Sequence, residues 1–362
     1  MNLSDLVALS ARLQRAGTPF ATATVVKKEG STYRLPGARM IVESDGTAYG
    51  MVSGGCLESE VVQEALDVLR TGTAVIRRYD LTDENNAAGY GAGCAGAVHV
   101  LIEPASGGLD MLAPYLEKRI PVLLAHVIGA AGGLLGARQA FSSGEPGTAT
   151  PNWPSSLNVH DFARDSLRRA RSDVIRVRSG RETVELFLES ALPPFRLILF
   201  GSGPDVAPLV QMGRLLGWLV EVVGARPAAA LKASIPGAHS YTFLMHPEEV
   251  SSRVKVDPYT AAVIMNHNKA RDASLANALN QGEIPYVGLL GPWERLEGQV
   301  GWNALDVTVG RVHSPVGLDI GAETPQEVAL SIAAEVQAAL AGFEARPLRH
   351  KGSAIHARQP RA

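Results

Sequence analysis

The chain is poor in cysteine, in aromatic side chains and in charge. Of its 362 residues, two are cysteine, 6% are Phe, Trp or Tyr and 19% are charged, where about 25% is usual for a globular protein. Two cysteines exclude a disulfide scaffold and point to a reducing compartment. Sparse charge with a net of -2 excludes a disordered polyelectrolyte and leaves no footprint for nucleic acid. No long apolar run escapes chain breakers. The longest uncharged stretch, residues 120–137, contains Pro121, His126 and four glycines, which predicts a buried hairpin and no membrane partner. Met1 to Asp5 has no basic stretch followed by an apolar one, so a soluble, cytoplasmic protein is expected.

What the chain has in excess is glycine, with 37 residues. Length alone suggests two domains or three. Up to about residue 138, short β-rich runs such as Phe20 to Val26 and Ala97 to Glu103 mix with helical patterns, Leu3 to Ala16 and Leu57 to Leu69. They show no regular strand–helix–strand rhythm, which predicts an α+β first domain over residues 1–193. Residues 139–179 are polar and rich in Ser, Pro and Arg, and read as surface loops and an irregular connection. Pro193-Pro194 is the expected boundary. Beyond it, apolar strands alternate with helices over residues 194–343, the pattern of a doubly wound parallel sheet. Thr324-Pro325 with Glu327 announces the last helix. Residues 344–362 form a basic tail, expected to be disordered. No repeat of fixed period is visible.

Five constellations could carry chemistry. In the first, Gly30, Ser31, Arg34, Pro36, Gly37 and Arg39 fall in one inter-strand loop. Glycine N–H groups and forked arginine donors suit phosphate or carboxylate, and the alternative is a long turn with two solvated arginines. The second is Ser53-Gly54-Gly55-Cys56, followed by Glu58. It places a thiol near a helix N-terminus, a position that favours an ionised sulfur although Glu58 and Glu60 oppose it. Third, Cys94 lies among Gly89, Gly91, Gly93 and Gly96, so both cysteines sit in glycine clusters. Two thiols alone are a poor zinc set, and no protein metal site is expected.

The fourth is Gly201-Ser202-Gly203 between an apolar strand and a helix, with Arg226 ending the next strand. That context suits a nucleotide or phosphate at the helix N-terminus, although Val206 replaces the third glycine and no acid follows the second strand. The fifth is Asn266-His267 at a strand end, where a parallel sheet opens its ligand crevice.

Several longer runs resemble the XdhC/CoxI family, the maturation factors of xanthine and carbon monoxide dehydrogenases. They are GSTYRLPGARM, GMVSGGCLESEV, GAGCAGAVHVLIEP, GSGPDVA, MNHNKARD, YVGLLG and SPVGLDIGAETPQEVALSIAAEV. The resemblance implies an N-terminal family domain joined to a Rossmann-like domain. It also implies a chaperone that binds molybdenum cofactor, a molybdopterin, while a terminal sulfur is installed. The implied partners are an apo molybdenum hydroxylase of the xanthine or carbon monoxide dehydrogenase type and a cysteine desulfurase, with a homodimer left open. Arg34, Arg39 and the Gly54-Gly55-Cys56 turn would contact the cofactor, with Cys94 nearby. The rival reading is an NAD(P)-dependent oxidoreductase using His267 as acid or base. Where the family commonly has proline this chain has Tyr33, and Pro204-Asp205 replaces His-Val.

Overall fold

The computed structural model describes residues 1–81, 96–129, 133–180, 182–280, 282–299 and 311–352. By contacts the chain divides into two compact units, Met1–Pro193 and Pro194–Ala362.

The first unit runs α1 (Leu3–Ala16), β1 (Phe20–Gly30), β2 (Arg39–Glu43), β3 (Ala48–Gly50), α2 (Glu58–Thr71), β4 (Val75–Asp80) and β5 (Gly96–Pro104). It continues with α3 (Leu109–Glu117), β6 (Val122–Gly129), β7 (Arg138–Ser142), β8 (Glu145–Ala149), α4 (His160–Arg168), β9 (Asp173–Ser179) and β10 (Glu182–Ala191). Local chemistry fixes the ends: Asn2 and Asp5 cap α1 reciprocally, and Gly17 stops it in the left-handed conformation. Two five-stranded antiparallel sheets result, ordered β3-β2-β1-β5-β4 and β8-β7-β6-β10-β9. Residues 139–179 are therefore not an irregular connection. They supply three strands and a helix of the second sheet, and they read as loops because β8 is exposed throughout and β9 is polar. The hairpin expected within residues 120–137 is instead the pair β6–β7, whose second strand starts at Arg138.

The two sheets are copies of one plan, so the chain does contain an internal repeat. Each half runs α-β-β-β-α-β-β with the same strand order. Even the irregularity is repeated. The β1–β5 register shifts between Val25 and Lys27, and the β6–β10 register shifts at the matching place, between Leu186 and Glu185. In each half a glycine N–H two residues before an arginine bonds back to the first strand, Gly37 to Val25 and Gly136 to Val127. Outward residues of the first sheet, such as Ala23, Val25 and Val100, pack with Val61 and Ala65 of α2. Val26 and Leu101 face the matching pair Ile128 and Phe187 where the sheets meet.

The second unit has β11 (Arg196–Phe200), α5 (Val206–Leu215), β12 (Leu219–Gly224), α6 (Ala228–Ser234), β13 (Ser240–Phe243), α7 (Val250–Arg253) and β14 (Thr260–Ile264). It ends with α8 (Lys269–Asn280), β15 (Tyr286–Leu289), β16 (Val312–His313) and a terminal helix, Pro325–Ala341. Thr324 and Glu327 cap that helix reciprocally. All six strands are parallel in the order β13-β12-β11-β14-β15-β16, a Rossmann-like doubly wound sheet. Alternation along β11 sends Leu197 and Leu199 into one core and Ile198 and Phe200 into the other, so both faces are covered. Among the described residues no helix is long and apolar enough to cross a membrane. Residues 300–310, within the span expected to alternate strands and helices, lie outside the described residues, as do residues 353–362 of the basic tail.

Candidate functional site

In the first unit, the β1–β2 loop and the β3–α2 loop enclose a cavity of about 250 Å³. Thr32, Tyr33 and Arg34 line it from the first loop, Val52, Ser53, Gly54 and Cys56 from the second, with Leu81 and Val98 behind. Two of the five constellations thus meet in one place.

The second loop is organised by Ser53 and Glu58. Glu58 starts α2 and folds back, so that its carboxylate accepts from the Val52 N–H at 3.2 Å, the Ser53 N–H at 2.9 Å and the Ser53 hydroxyl at 2.5 Å. The Ser53 Oγ in turn accepts from the Gly55 and Leu57 N–H groups, each at 3.1 Å. Burial would raise the Glu58 carboxyl, but the bonds from Ser53 and Val52 outweigh it and hold Glu58 below the usual carboxylate range. Glu58 is therefore a brace for the turn and is not among the residues that line the cavity. Gly55, at φ +110°, takes a backbone conformation closed to other residues. Gly54 packs under the Tyr33 ring, whose Cγ would lie in ordinary contact at 3.5 Å from a Cβ placed there. The Cys56 thiol, half-buried and unbridged, packs beside the first sheet's core.

Arg34 provides the cavity's cation. Its Nε is buried with no hydrogen-bond partner among the described residues. Tyr33 adds an aromatic face that is 63% exposed. A guanidinium, a thiol and an exposed ring around one cavity suit a ligand that joins an anionic group to a soft centre and a flat ring.

Arg39 is placed elsewhere. Both its terminal nitrogens donate to the Glu189 carboxylate, the Nη2–Oε2 bond being 2.6 Å, and its side chain is wholly buried where the two sheets meet. The Arg39 Nε donates to the Thr24 hydroxyl at 3.2 Å. The repeat mirrors this pair: Arg138 of β7 pairs with Glu103 of β5, and its Nε donates to His126 Nδ1 at 3.1 Å. That bond fixes the proton on His126 Nε2, which donates to Glu189 at 3.1 Å. Burial pushes His126 down to about 4, so it is neutral. Burial also acts on Glu189, but the Arg39 charge and the His126 and Arg39 bonds hold it well below the usual range. Glu103 is pushed up by burial, which the nearby Arg138 and Arg39 charges do not offset. Residue type alone suggested Arg39 as a ligand arginine. The repeat that makes Arg138 its counterpart shows in the sequence as Leu-Pro-Gly-Ala-Arg at 35–39 recurring as Leu-Leu-Gly-Ala-Arg at 134–138.

Gly30 ends β1, and Ser31, Pro36 and Gly37 lie in the first loop; none of the four lines the cavity, and Gly37 sits beside Glu189. Gly96 is required by close packing, since a Cβ there would collide with the Glu29 and Ser31 backbone. Cys94, with Gly89, Gly91 and Gly93, lies outside the described residues. Among the described residues no group of three or more His, Cys, Asp or Glu is set to hold a metal ion.

In the second unit, Gly201, Ser202 and Gly203 form the turn from β11 into α5, at the carboxyl edge of the sheet. Arg226 reaches back and donates to the Ser202 carbonyl. His267 follows β14 at φ +56°, and its Nε2 lies 3.2 Å from Asp205 Oδ2. Asn266 is held by the buried Asp272, which Arg295 neutralises at 2.8 Å. A separate concavity of about 310 Å³ opens at the opposite, amino edge of the same sheet, beside Arg196, His239 and Arg253.

Comparison with known proteins agrees with this architecture. Residues 13–80 match the XdhC and CoxI family, and residues 197–336 match the XdhC Rossmann domain. A protein of Bacillus subtilis (strain 168) described as a probable xanthine dehydrogenase subunit is 31% identical over 317 residues, covering 87% of this chain and 91% of that protein. The molybdenum cofactor insertion chaperone PaoD of Escherichia coli (strain K12) is 24% identical over 327 residues, covering 89% and 83%. A crystal structure described as a xanthine dehydrogenase from Bacillus halodurans superposes with a TM-score of 0.74 at 27% identity, over 96% of this chain and 98% of that one. The cavity loops fall within the first matched segment and the parallel sheet within the second, and identity to a full-length relative runs through both: the chain belongs to the XdhC and CoxI family.

Proposed function

We propose that the first unit holds molybdenum cofactor at the Arg34–Cys56 cavity and hands it to a molybdenum hydroxylase of the xanthine dehydrogenase type. The observation that carries this reading is the meeting of a buried Arg34 Nε with no partner among the described residues, the Cys56 thiol and the exposed Tyr33 ring around one space. Molybdopterin presents a phosphate-bearing tail, a dithiolene-bound metal and a flat ring system, and those three chemistries match the three side chains. At about 250 Å³ the cavity is smaller than the 300 to 1,000 Å³ typical of drug-sized ligands. It therefore takes one end of the cofactor, with the rest left accessible for transfer. Cys56 would contact molybdenum or the incoming sulfur, and Arg34 the anionic tail. Names among the relatives, a cofactor insertion chaperone and a xanthine dehydrogenase subunit, support the same reading. The implied partners are the apo-hydroxylase and a cysteine desulfurase that supplies sulfur. A carrier role in which the chain binds, shields and releases cargo calls for no catalytic group.

The test is to load the purified chain anaerobically with cofactor and measure retention and transfer to apo-hydroxylase. The wild-type chain is expected to retain the cofactor and activate the hydroxylase. Cys56→Ala and Arg34→Ala are each expected to lose about tenfold or more in retention, the effect of some 1.4 kcal/mol. Wild-type retention in both variants would remove the cavity from the function.

A further inference from the structure

The strand order of the second unit implies a dinucleotide at the glycine turn between β11 and α5. The residues present do not fit one. In such a turn the second glycine lacks a side chain so that a pyrophosphate can approach its backbone. Here the space beside the second glycine is already filled, because a Cβ on Gly203 would collide with Asp205 Oδ1. Asp205 is the residue before α5, so its carboxylate stands where the helix dipole would favour a phosphate. It does not serve as a side-chain cap. The Oδ1 atom is buried without a hydrogen-bond partner among the described residues, while Oδ2 contacts His267 Nε2 at 3.2 Å.

The remaining phosphate donors are depleted as well. Pro204 has no N–H to offer. The Val206 N–H turns inward to the Gly203 carbonyl at 3.3 Å. Arg226, the cation nearest in sequence after β12, is tied by one amino group to the Ser202 carbonyl and to the Ser234 hydroxyl at 3.2 Å, while its buried Nε has no partner among the described residues. After Gly224 the chain continues Ala225-Arg226, so no carboxylate stands ready for a ribose diol.

We infer that Asp205 is the built-in occupant of the phosphate seat in this turn, clasped by His267, and that the second unit takes no nucleotide phosphate there. The Asp205–His267 contact replaces the ligand that such a turn was shaped to hold. This inference concerns the second unit alone and stands or falls apart from cofactor binding in the first.

The experiment is isothermal titration of the full chain with ADP, NAD and NADP, using wild type, Asp205→Asn and Asp205→Gly. Asparagine keeps the shape of the turn and removes only its charge, and fluorescence of the buried Trp218 reports whether the unit is folded. Wild type is expected to give no binding heat with any of the three. Folded Asp205→Gly is expected to gain at least about tenfold in ADP affinity, and Asp205→Asn, whose side chain still fills the seat, to gain less. Saturable binding of ADP, NAD or NADP by wild type overturns the inference, and so does a folded Asp205→Gly that gains nothing.

Discussion

Arg39 and Glu189 lie 150 residues apart in sequence and meet in a wholly buried, two-pronged ion pair, with the Nη2–Oε2 bond at 2.6 Å. Arg138 and Glu103 repeat the pairing through a single contact, with the roles of the two halves exchanged. Each half of the first unit thus supplies an arginine from its second strand and a glutamate from its last, and each bridges to the other half.

Removing one partner of such a pair strands a charge in the interior. Arg39→Ala and Glu189→Ala are each expected to cost about 3 to 5 kcal/mol, and the double variant less than their sum. Urea denaturation in a double-mutant cycle checks this. A cost below about 1 kcal/mol for Arg39→Ala would mean that the pair does not hold the halves together.

His126 makes stability depend on pH. Its folded pKa is depressed to about 4, below the ordinary 6.5, so between those values the unfolded chain binds the extra proton. Its contribution is full above about pH 6.5 and is lost as pH falls towards 4, on the order of 3 kcal/mol in all. Glu189, also held low, adds a further loss at more acid pH. Urea midpoints measured from about pH 7 down to about 4 should fall steeply for wild type and less so for His126→Gln. Parallel profiles would clear His126 of the effect.

Glu58 braces the turn that presents Cys56. Glu58→Ala removes bonds to two backbone N–H groups and a hydroxyl, and should cost about 1 to 3 kcal/mol. In a Cys94→Ser background, alkylation of Cys56 is expected to quicken as the turn loosens. An unchanged alkylation rate would show that the turn keeps its shape without Glu58.

Much of the fold could be read from periodicity. The apolar strands of the second unit, its glycine turn and the Thr324 cap all show as local patterns, because their burial and hydrogen bonds are set by near neighbours. The second sheet of the first unit is hidden because β8 is fully exposed, and the alternation Ile175-Arg176-Val177-Arg178 in β9 is brief and set in a polar, Arg-rich stretch. Its likeness to the first sheet survives in sequence only as Leu-x-Gly-Ala-Arg, since connections of different length shift the matching residues. Glycine neighbours point to Arg34 and Cys56, and the structure places both at the cavity. Arg39 was misplaced because its partner lies in a distant strand. Residue type suggests Arg226 and His267 as ligand groups, yet Arg226 is engaged by the Ser202 carbonyl and His267 by Asp205.

Purification of the chain without air from a molybdenum-replete host, followed by metal and pterin analysis, bears most directly on the Arg34–Cys56 cavity. Molybdenum and pterin should copurify in equal amounts with wild type and be strongly reduced in Arg34→Ala and Cys56→Ala. Wild-type protein free of both, or variants that carry as much as wild type, would contradict cofactor binding at this cavity.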